Sequence, residues 1–181
     1  MSMAEINVQS LIESGTDTAA QAALDRLIDD FKGHPALPEA VFEIGELYYN
    51  EAFRRENKGL DAEARENFRK AIALWERIIT ELPESTTTAQ AYNFIGNGYR
   101  QLGEYEMAIE YYTKVFENWP YYMYSSLAQF RIGRCYEHLR NAGVIPEDKA
   151  NTLIKDAYMR VLENYPDSLS AKDVRIWLKN R

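Results

Sequence analysis

Apolar residues recur every three or four positions along most of the chain, the spacing that places them on one face of an α-helix. The stripe is clearest at residues 106–119, and residues 62–82 and 147–165 repeat it. No stretch keeps the strict alternation of a half-buried β-strand. The sequence therefore predicts an all-α protein, with helices that end near glycine or proline, at Gly15, Gly33, Gly59, Gly103, Gly143, Pro35, Pro83, Pro120 and Pro166.

A short motif, Ile-Gly-x-x-Tyr, occurs three times, at residues 44–48, 95–99 and 132–136. A glycine inside a helix costs roughly 1 kcal/mol relative to alanine, so its recurrence at equivalent places needs a compensating gain. We predict that Gly45, Gly96 and Gly133 let a neighbouring helix pack closely. A phosphate-binding loop would instead need a strand before the glycines and a helix opening after them. Gly103 is interpreted as a helix-ending turn.

Residues 89–122 resemble one complete, ungapped unit of the tetratricopeptide repeat (TPR) family. The matching positions are Tyr92, Ile95, Gly96, Tyr99, Gly103, Tyr105, Ala108, Tyr112, Val115 and Pro120. The resemblance implies antiparallel helix pairs stacked into a right-handed superhelix, an α-solenoid of about eight helices. The longer linkers and the segment 163–178 also look like the subtype in bacterial envelope proteins, namely the TolA-binding protein and the lipoprotein of the outer-membrane assembly machine.

The resemblance covers nearly the whole chain and predicts a single domain, residues 1–181. Its parts are a degenerate N-terminal repeat at 1–34, a repeat with an extended hairpin at 38–88, the best-matching repeat at 89–125, a repeat with an inserted loop at 126–167, and a C-terminal helix at 168–181. The 14 extra residues of the second repeat equal about two turns in each helix, so both helices can lengthen without rotating their apolar faces. Asp61 is predicted to cap the returning helix.

Charge and composition narrow the function. The 181 residues carry a net charge of −7, which disfavours binding to nucleic acid or anionic lipid. We expect no cofactor, no metal site and no enzyme activity: the single cysteine, Cys135, is interpreted as a buried, inert thiol, and no catalytic constellation accompanies it. No apolar run is long enough to span a bilayer. The start lacks a signal peptide, which indicates the cytoplasm, or the periplasm if a leader was removed.

In TPR solenoids the first helix of each pair lines a concave groove, so the resemblance implies a protein or peptide partner there. The predicted contacts are Glu39, Phe42, Glu43, Glu46, Asn93, Asn97, Arg100, Phe130, Arg131, Arg134 and His138. Amide side chains can hydrogen-bond a peptide backbone, and arginines can fork onto a carboxylate. We expect a partner carboxylate at Arg131 and Arg134, and basic groups at Glu43 and Glu46.

Two other functions stay open. The protein could be a structural module that self-associates through its C-terminal helix, with Trp177, or through the aromatic patch at 119–124, "WPYYMY". It could also be a fragment of a longer repeat array. The patch itself has two interpretations, because it could cover the next helix or form an exposed contact site.

Overall fold

The computed structural model describes residues 2–14 and 16–180, and the regular structure within these ranges is helical. The all-α prediction is confirmed, and the described residues form nine helices, where about eight were expected. They are α1 (Ser2–Glu13), α2 (Asp17–Asp30), α3 (Leu37–Glu56), α4 (Asp61–Glu81), α5 (Thr86–Leu102), α6 (Tyr105–Asn118), α7 (Ser125–Asn141), α8 (Glu147–Asn164) and α9 (Leu169–Lys179). None of the helices in this described part is both long and apolar enough to cross a membrane.

The helices group into two compact units, Met1–Gly98 and Tyr99–Arg181, and the boundary between them lies inside α5. In unit 1, α3 packs along α4, and α1 contacts both α2 and α3. In unit 2, α7 packs against α6 and α8, and α9 contacts α7 and α8. The expectation of one continuous repeat domain stays a prediction.

The predicted helix ends are confirmed at four glycines. Gly33, Gly59, Gly103 and Gly143 have φ values of 85°, 73°, 77° and 69°. Glycine adopts this left-handed region without the steric cost that a Cβ imposes, so the chain can leave a helix and turn sharply. Gly15, the other glycine predicted to end a helix, lies outside the described residues.

The hairpin of unit 1 consists of long helices, since α3 has 20 residues and α4 has 21, against 17 in α5. The predicted cap is corrected. Leu60 occupies the N-cap position of α4 without a side-chain hydrogen bond, and Asp61 is the first helical residue. There its carboxylate lies near the positive end of the helix dipole, which favours a negative charge without capping.

In unit 2 the extra residues of the last repeat mostly lengthen helices. Helix α8 has 18 residues where α6 has 14, and the turn before it, residues 142–146, is short. Helices α8 and α9 together form a hydrophobic core, which comprises Ala150, Ile154, Tyr158, Val161, Ala171 and Val174. The Ser168 hydroxyl accepts a hydrogen bond of 3.1 Å from the Ala171 N–H, which caps α9.

The close-packing role of the motif glycines is confirmed at Gly45 and Gly133. A Cβ on Gly45 would lie 2.9 Å from Cδ1 of Trp75, and one on Gly133 would lie 2.7 Å from Cδ1 of Tyr158. Both rings belong to the second helix of the same pair and are buried. The Trp75 indole N–H also donates a hydrogen bond of 3.2 Å to the Phe42 carbonyl. Each glycine therefore opens the space that a large aromatic ring fills.

Candidate functional site

The exposed face of α3 in unit 1 carries three carboxylates, and we call it the acidic face: Glu39, Glu43 and Glu46. Their spacing of four and three residues places them along one side of the helix. Glu39 and Glu43 are exposed and Glu46 is half-buried. Burial raises the pKa of Glu46, and the neighbouring charges of Glu43 and Glu39 raise it further. A basic group placed here would offset both effects, because an opposite charge stabilises the ionised carboxylate.

The first carboxylate of the acidic face also joins α3 to α5. The Thr87 hydroxyl at the start of α5 donates a hydrogen bond of 2.9 Å to Oε2 of Glu39. Glu39 is therefore fixed to the scaffold, whereas Glu43 and Glu46 remain the carboxylates of this face best placed to meet a partner.

Three predicted groove residues of unit 1 are buried, which corrects the expectation that their side chains line an open groove. Phe42 is 1% exposed, Asn93 2% and Asn97 7%. Phe42 is buried because Trp75 fills the space beside Gly45, and the Phe42 ring stacks on that indole with the ring centroids 5.7 Å apart. In this arrangement Phe42 is a core residue, and we do not assign it a contact with a partner.

In unit 2, two arginines from different helices converge on one buried tyrosine, and we call them the arginine pair. The Arg131 guanidinium of α7 lies 5.9 Å from the centre of the Tyr112 ring. Burial raises the pKa of Tyr112, and the charges of Arg131 and Arg100 oppose that rise. Nε of Arg100, in the last turn of α5, is buried and has no hydrogen-bond partner among the described residues. The pair therefore concentrates positive charge at a partly desolvated position.

The same two arginines act on the cysteine. Cys135 is fully buried, and burial raises the pKa of its thiol to about 12, with Arg100 and Arg131 only partly opposing that rise. The thiol is therefore protonated at neutral pH. Because the thiolate is the reactive form, this environment agrees with the interpretation of an inert core cysteine.

Arg134 does not join the arginine pair. Its Nη1 lies 2.7 Å from Oε2 of Glu137, a nearly buried carboxylate one helical turn further along α7. The other oxygen of Glu137 accepts a hydrogen bond of 2.7 Å from the Trp177 indole of α9. The expected fork of Arg131 and Arg134 on one partner carboxylate is therefore corrected, because Arg134 is committed to an ion pair within the protein.

The remaining predicted contacts of unit 2 lie against aromatic rings. Phe130 is half-buried and stacks on Tyr158, with centroids 5.3 Å apart. His138 is exposed, and its ring stacks on Tyr105 at 4.6 Å with an interplanar angle of 5°. Both side chains keep one open face, so both stay candidates for contact with a partner.

Sequence reasoning missed Tyr112 as the residue that organises the arginine pair. A signal was present: Trp75, Tyr112 and Tyr158 occupy equivalent places in the three repeats once the insertions are removed, and all three are among the largest fully buried side chains. A large aromatic residue at that place indicates a core position. Arg100 in α5 and Arg131 in α7, the helices before and after α6, then lie close to the Tyr112 ring.

Comparison with known proteins agrees with the repeat pattern. One family model described as a tetratricopeptide repeat matches residues 43–120, and a second with the same description matches residues 127–168. The uncharacterized protein ycf37 of Guillardia theta is 32% identical over 134 residues, which are 73% of this chain. This chain spans 61% of the length of that relative. The crystal structure of MamA matches with a TM-score of 0.45 and 18% identity, over 87% of this chain and 73% of that one.

Proposed function

Because the chain belongs to the tetratricopeptide repeat family, whose repeats generally mediate protein–protein interactions, we propose that it is a non-catalytic adaptor. It binds an extended peptide or a partner helix on the first helix of each repeat pair. The envelope-protein subtype and a cytoplasmic or periplasmic location stay predictions.

The observation that carries this proposal is the arginine pair. Two guanidinium groups, Arg100 and Arg131, are directed at the same buried ring, and one of their nitrogens is buried without a hydrogen-bond partner in the described part of the chain. Like charges held together are unfavourable, and a carboxylate of a partner offsets that cost with charge-assisted hydrogen bonds. The partner therefore presents an acidic side chain or a terminal carboxylate to unit 2.

The acidic face of unit 1 supports the same class of function with the opposite charge. Glu46 is half-buried beside Glu43, and both its burial and the neighbouring negative charge destabilise its ionised form. A lysine or arginine of a partner stabilises the ionised form when it lies within a few ångströms of both carboxylates. We therefore assign to this face the recognition of basic groups, independently of what unit 2 binds.

The absence of catalysis is inferred from the state of Cys135. A nucleophilic cysteine needs a lowered pKa and an adjacent base. Here burial raises the pKa of the thiol to about 12. The neighbouring guanidinium groups then serve binding rather than activation of a nucleophile.

The test compares charge-removing variants against a matched control. A partner is first isolated from native lysate and crosslinked to the protein, and its affinity is measured by calorimetry. We expect Arg100→Gln combined with Arg131→Gln to weaken binding at least tenfold, about 1.4 kcal/mol. Arg160→Gln removes an exposed arginine of α8 and should leave the affinity unchanged. Equal affinities for the two variants, both with native circular dichroism, would contradict the role of the arginine pair.

A second pair of variants tests unit 1. Glu43→Gln combined with Glu46→Gln should weaken a partner that is crosslinked to α3, and Glu106→Gln, an exposed carboxylate of α6, is the control. The loss of affinity should become smaller as the salt concentration is raised, because the interaction is between solvent-accessible charges. If the loss does not depend on salt, the acidic face does not recognise basic groups.

A further inference from the structure

Unit 2 contains an aromatic pocket that is lined by neither the acidic face nor the arginine pair. It encloses about 350 Å³ between the end of α6, the linker before α7 and the end of α8. Four of its walls are aromatic rings, Phe116, Tyr121, Tyr122 and Tyr165. It contains part of the patch at 119–124, and the structure answers the earlier question about that patch: Tyr121 is 99% exposed and Met123 75% exposed, so they do not cover the next helix.

The chemistry of the walls differs from that of a site for an aliphatic side chain. Besides the rings, the pocket is lined by oxygen-bearing groups, among them Ser126 and Asn164. Nδ2 of Asn164 donates to the Arg160 carbonyl at 2.9 Å, so the side-chain oxygen is the atom that remains as an acceptor. The Tyr122 hydroxyl is buried and has no hydrogen-bond partner among the described residues.

Charge gives the pocket its preference. Each ring presents a negative π-face, and a cation held within about 6 Å of such a face is attracted to it. No charged residue is among those described as lining the pocket, so no internal cation occupies the rings. The residues next to Phe116, Asn164 and Tyr165–Pro166 in sequence, namely Glu117, Glu163 and Asp167, are exposed carboxylates. The Arg175 guanidinium donates a hydrogen bond of 2.9 Å to the Pro166 carbonyl.

We infer that this pocket is a binding site for a basic side chain, arginine or lysine, presented by a protein partner. The cation lies against the rings of Tyr121, Tyr122 and Tyr165, and its N–H groups donate to the Asn164 side-chain oxygen. The exposed carboxylates Glu117, Glu163 and Asp167, each adjacent in sequence to a lining residue, raise the local concentration of cations. The site is separate from the acidic face and from the arginine pair, so it does not depend on the function proposed above.

The test uses small probes on the full chain and follows the tyrosine ring protons by nuclear magnetic resonance. N-acetyl-arginine amide is compared with N-acetyl-citrulline amide, which has nearly the same shape and no charge. The arginine probe should shift the ring signals of Tyr121 and Tyr122 in a saturable manner, and the citrulline probe should not. Similar saturation by both probes would show a pocket for flat polar groups and would overturn the assignment to cations.

Variants then distinguish binding by the aromatic rings from nonspecific binding to exposed apolar surface. Tyr121→Leu keeps an apolar surface and removes a π-face, and we expect it to weaken the arginine probe about threefold. Leu169→Ala is the matched control, since Leu169 is 77% exposed close to the pocket and does not line it. If Leu169→Ala weakens the probe as much as Tyr121→Leu, or if Tyr121→Leu has no effect, the pocket is not the binding site. Because Tyr121 is fully exposed, its replacement leaves the fold intact.

Discussion

At the scale of single residues, the structure depends on positions where a missing side chain admits a large one. Gly45 admits Trp75, Gly133 admits Tyr158, and Gly98 admits Ile72 of the preceding helix. The helix loses roughly 1 kcal/mol at each glycine, and close packing of the buried side chain that enters recovers more than that. The glycines of these helices are therefore required by packing and not by backbone conformation.

Gly45→Ala is expected to destabilise the protein even though alanine favours helix. The new methyl group would lie 2.9 Å from the Trp75 ring, and overpacking of this kind costs typically 1–3 kcal/mol. Urea unfolding measures the change. In a Trp75→Phe background the smaller ring leaves room, so the same alanine should cost at least about 1 kcal/mol less. Equal costs in the two backgrounds would show that the ring is not the cause.

Buried titratable groups predict a loss of stability in alkali. Burial raises the pKa of Cys135 to about 12 and also raises the pKa values of Tyr112 and Tyr158. These groups hold their protons more tightly in the folded state. Their contribution to stability is therefore complete below the unfolded pKa values, about 8.5 for cysteine and 10 for tyrosine, and is lost as the pH rises toward the folded ones.

We expect the free energy of unfolding to be flat near neutrality and then to fall by up to about 1.4 kcal/mol per pH unit for each group that titrates. Urea unfolding at a series of alkaline pH values measures the slope. Cys135→Ala should remove the part of the fall that begins near pH 8.5 and keep the later part due to tyrosine. A Cys135→Ala profile parallel to that of the unchanged protein would mean that the thiol titrates normally in the fold.

At the scale of elements, the long hairpin of α3 and α4 is stabilised at its tip by charge as well as by packing. Arg55 lies 2.6 Å from carboxylate oxygens of both Glu51 in its own helix and Glu63 in the returning helix. These groups are accessible to solvent, so the ion pairs contribute little individually. The tip turn itself, with Gly59 at a φ of 73°, is the more sensitive feature.

Gly59→Ala should therefore destabilise the hairpin by about 1–2 kcal/mol, because a Cβ is disfavoured at this positive φ. No atom lies within 4 Å of the position where that Cβ would be, so the cost is conformational and not steric crowding by neighbours. Lys58→Ala, at the adjacent exposed position, is the control and should be nearly neutral. Thermal unfolding compares the two, and equal melting temperatures would mean that the turn can relax.

The helices could be predicted because the signals for each one lie within its own segment of the sequence. The apolar stripes and the glycine and proline boundaries are local, so α3 to α8 could be expected from sequence with their approximate ends. The Asp61 cap could not be settled in this way, because the helix begins one residue earlier than a cap at Asp61 predicts. Whether a residue caps a helix depends on the backbone angles of its neighbour, which the side-chain pattern does not determine.

At the scale of the whole molecule, the open question is self-association. The exposed apolar residues Tyr121 and Met123 favour it, and the net charge of −7 opposes it through repulsion between copies. We expect a monomer over a wide range of concentrations. Multi-angle light scattering measures the mass, and a mass that grows with concentration would favour the structural alternative. Tyr121→Ser would then show whether the patch at 119–124 is the contact.

The candidate sites were less predictable than the helices, because each depends on contacts between distant parts of the chain. Arg134 pairs with Glu137 in the same helix, and Glu137 is in turn held by the Trp177 indole of α9, which lies 40 residues away in sequence. Phe42 falls at a groove position of the repeat, and only the space beside Gly45 explains why its ring turns inward. Long-range neighbours of this kind decide which charges remain available.

The hydrogen bond between Trp177 and Glu137 gives the protein a built-in optical reporter. An indole that donates to a nearly buried carboxylate and lies 4.8 Å from the Tyr158 ring fluoresces at shorter wavelengths than one in water. Because the chain has three tryptophans, a variant with Trp75 and Trp119 replaced by phenylalanine isolates this signal, and loosening of α9 from α7 should then redden the remaining emission. Docking of the last described helix can thus be followed in real time, in the same cuvette as a binding titration.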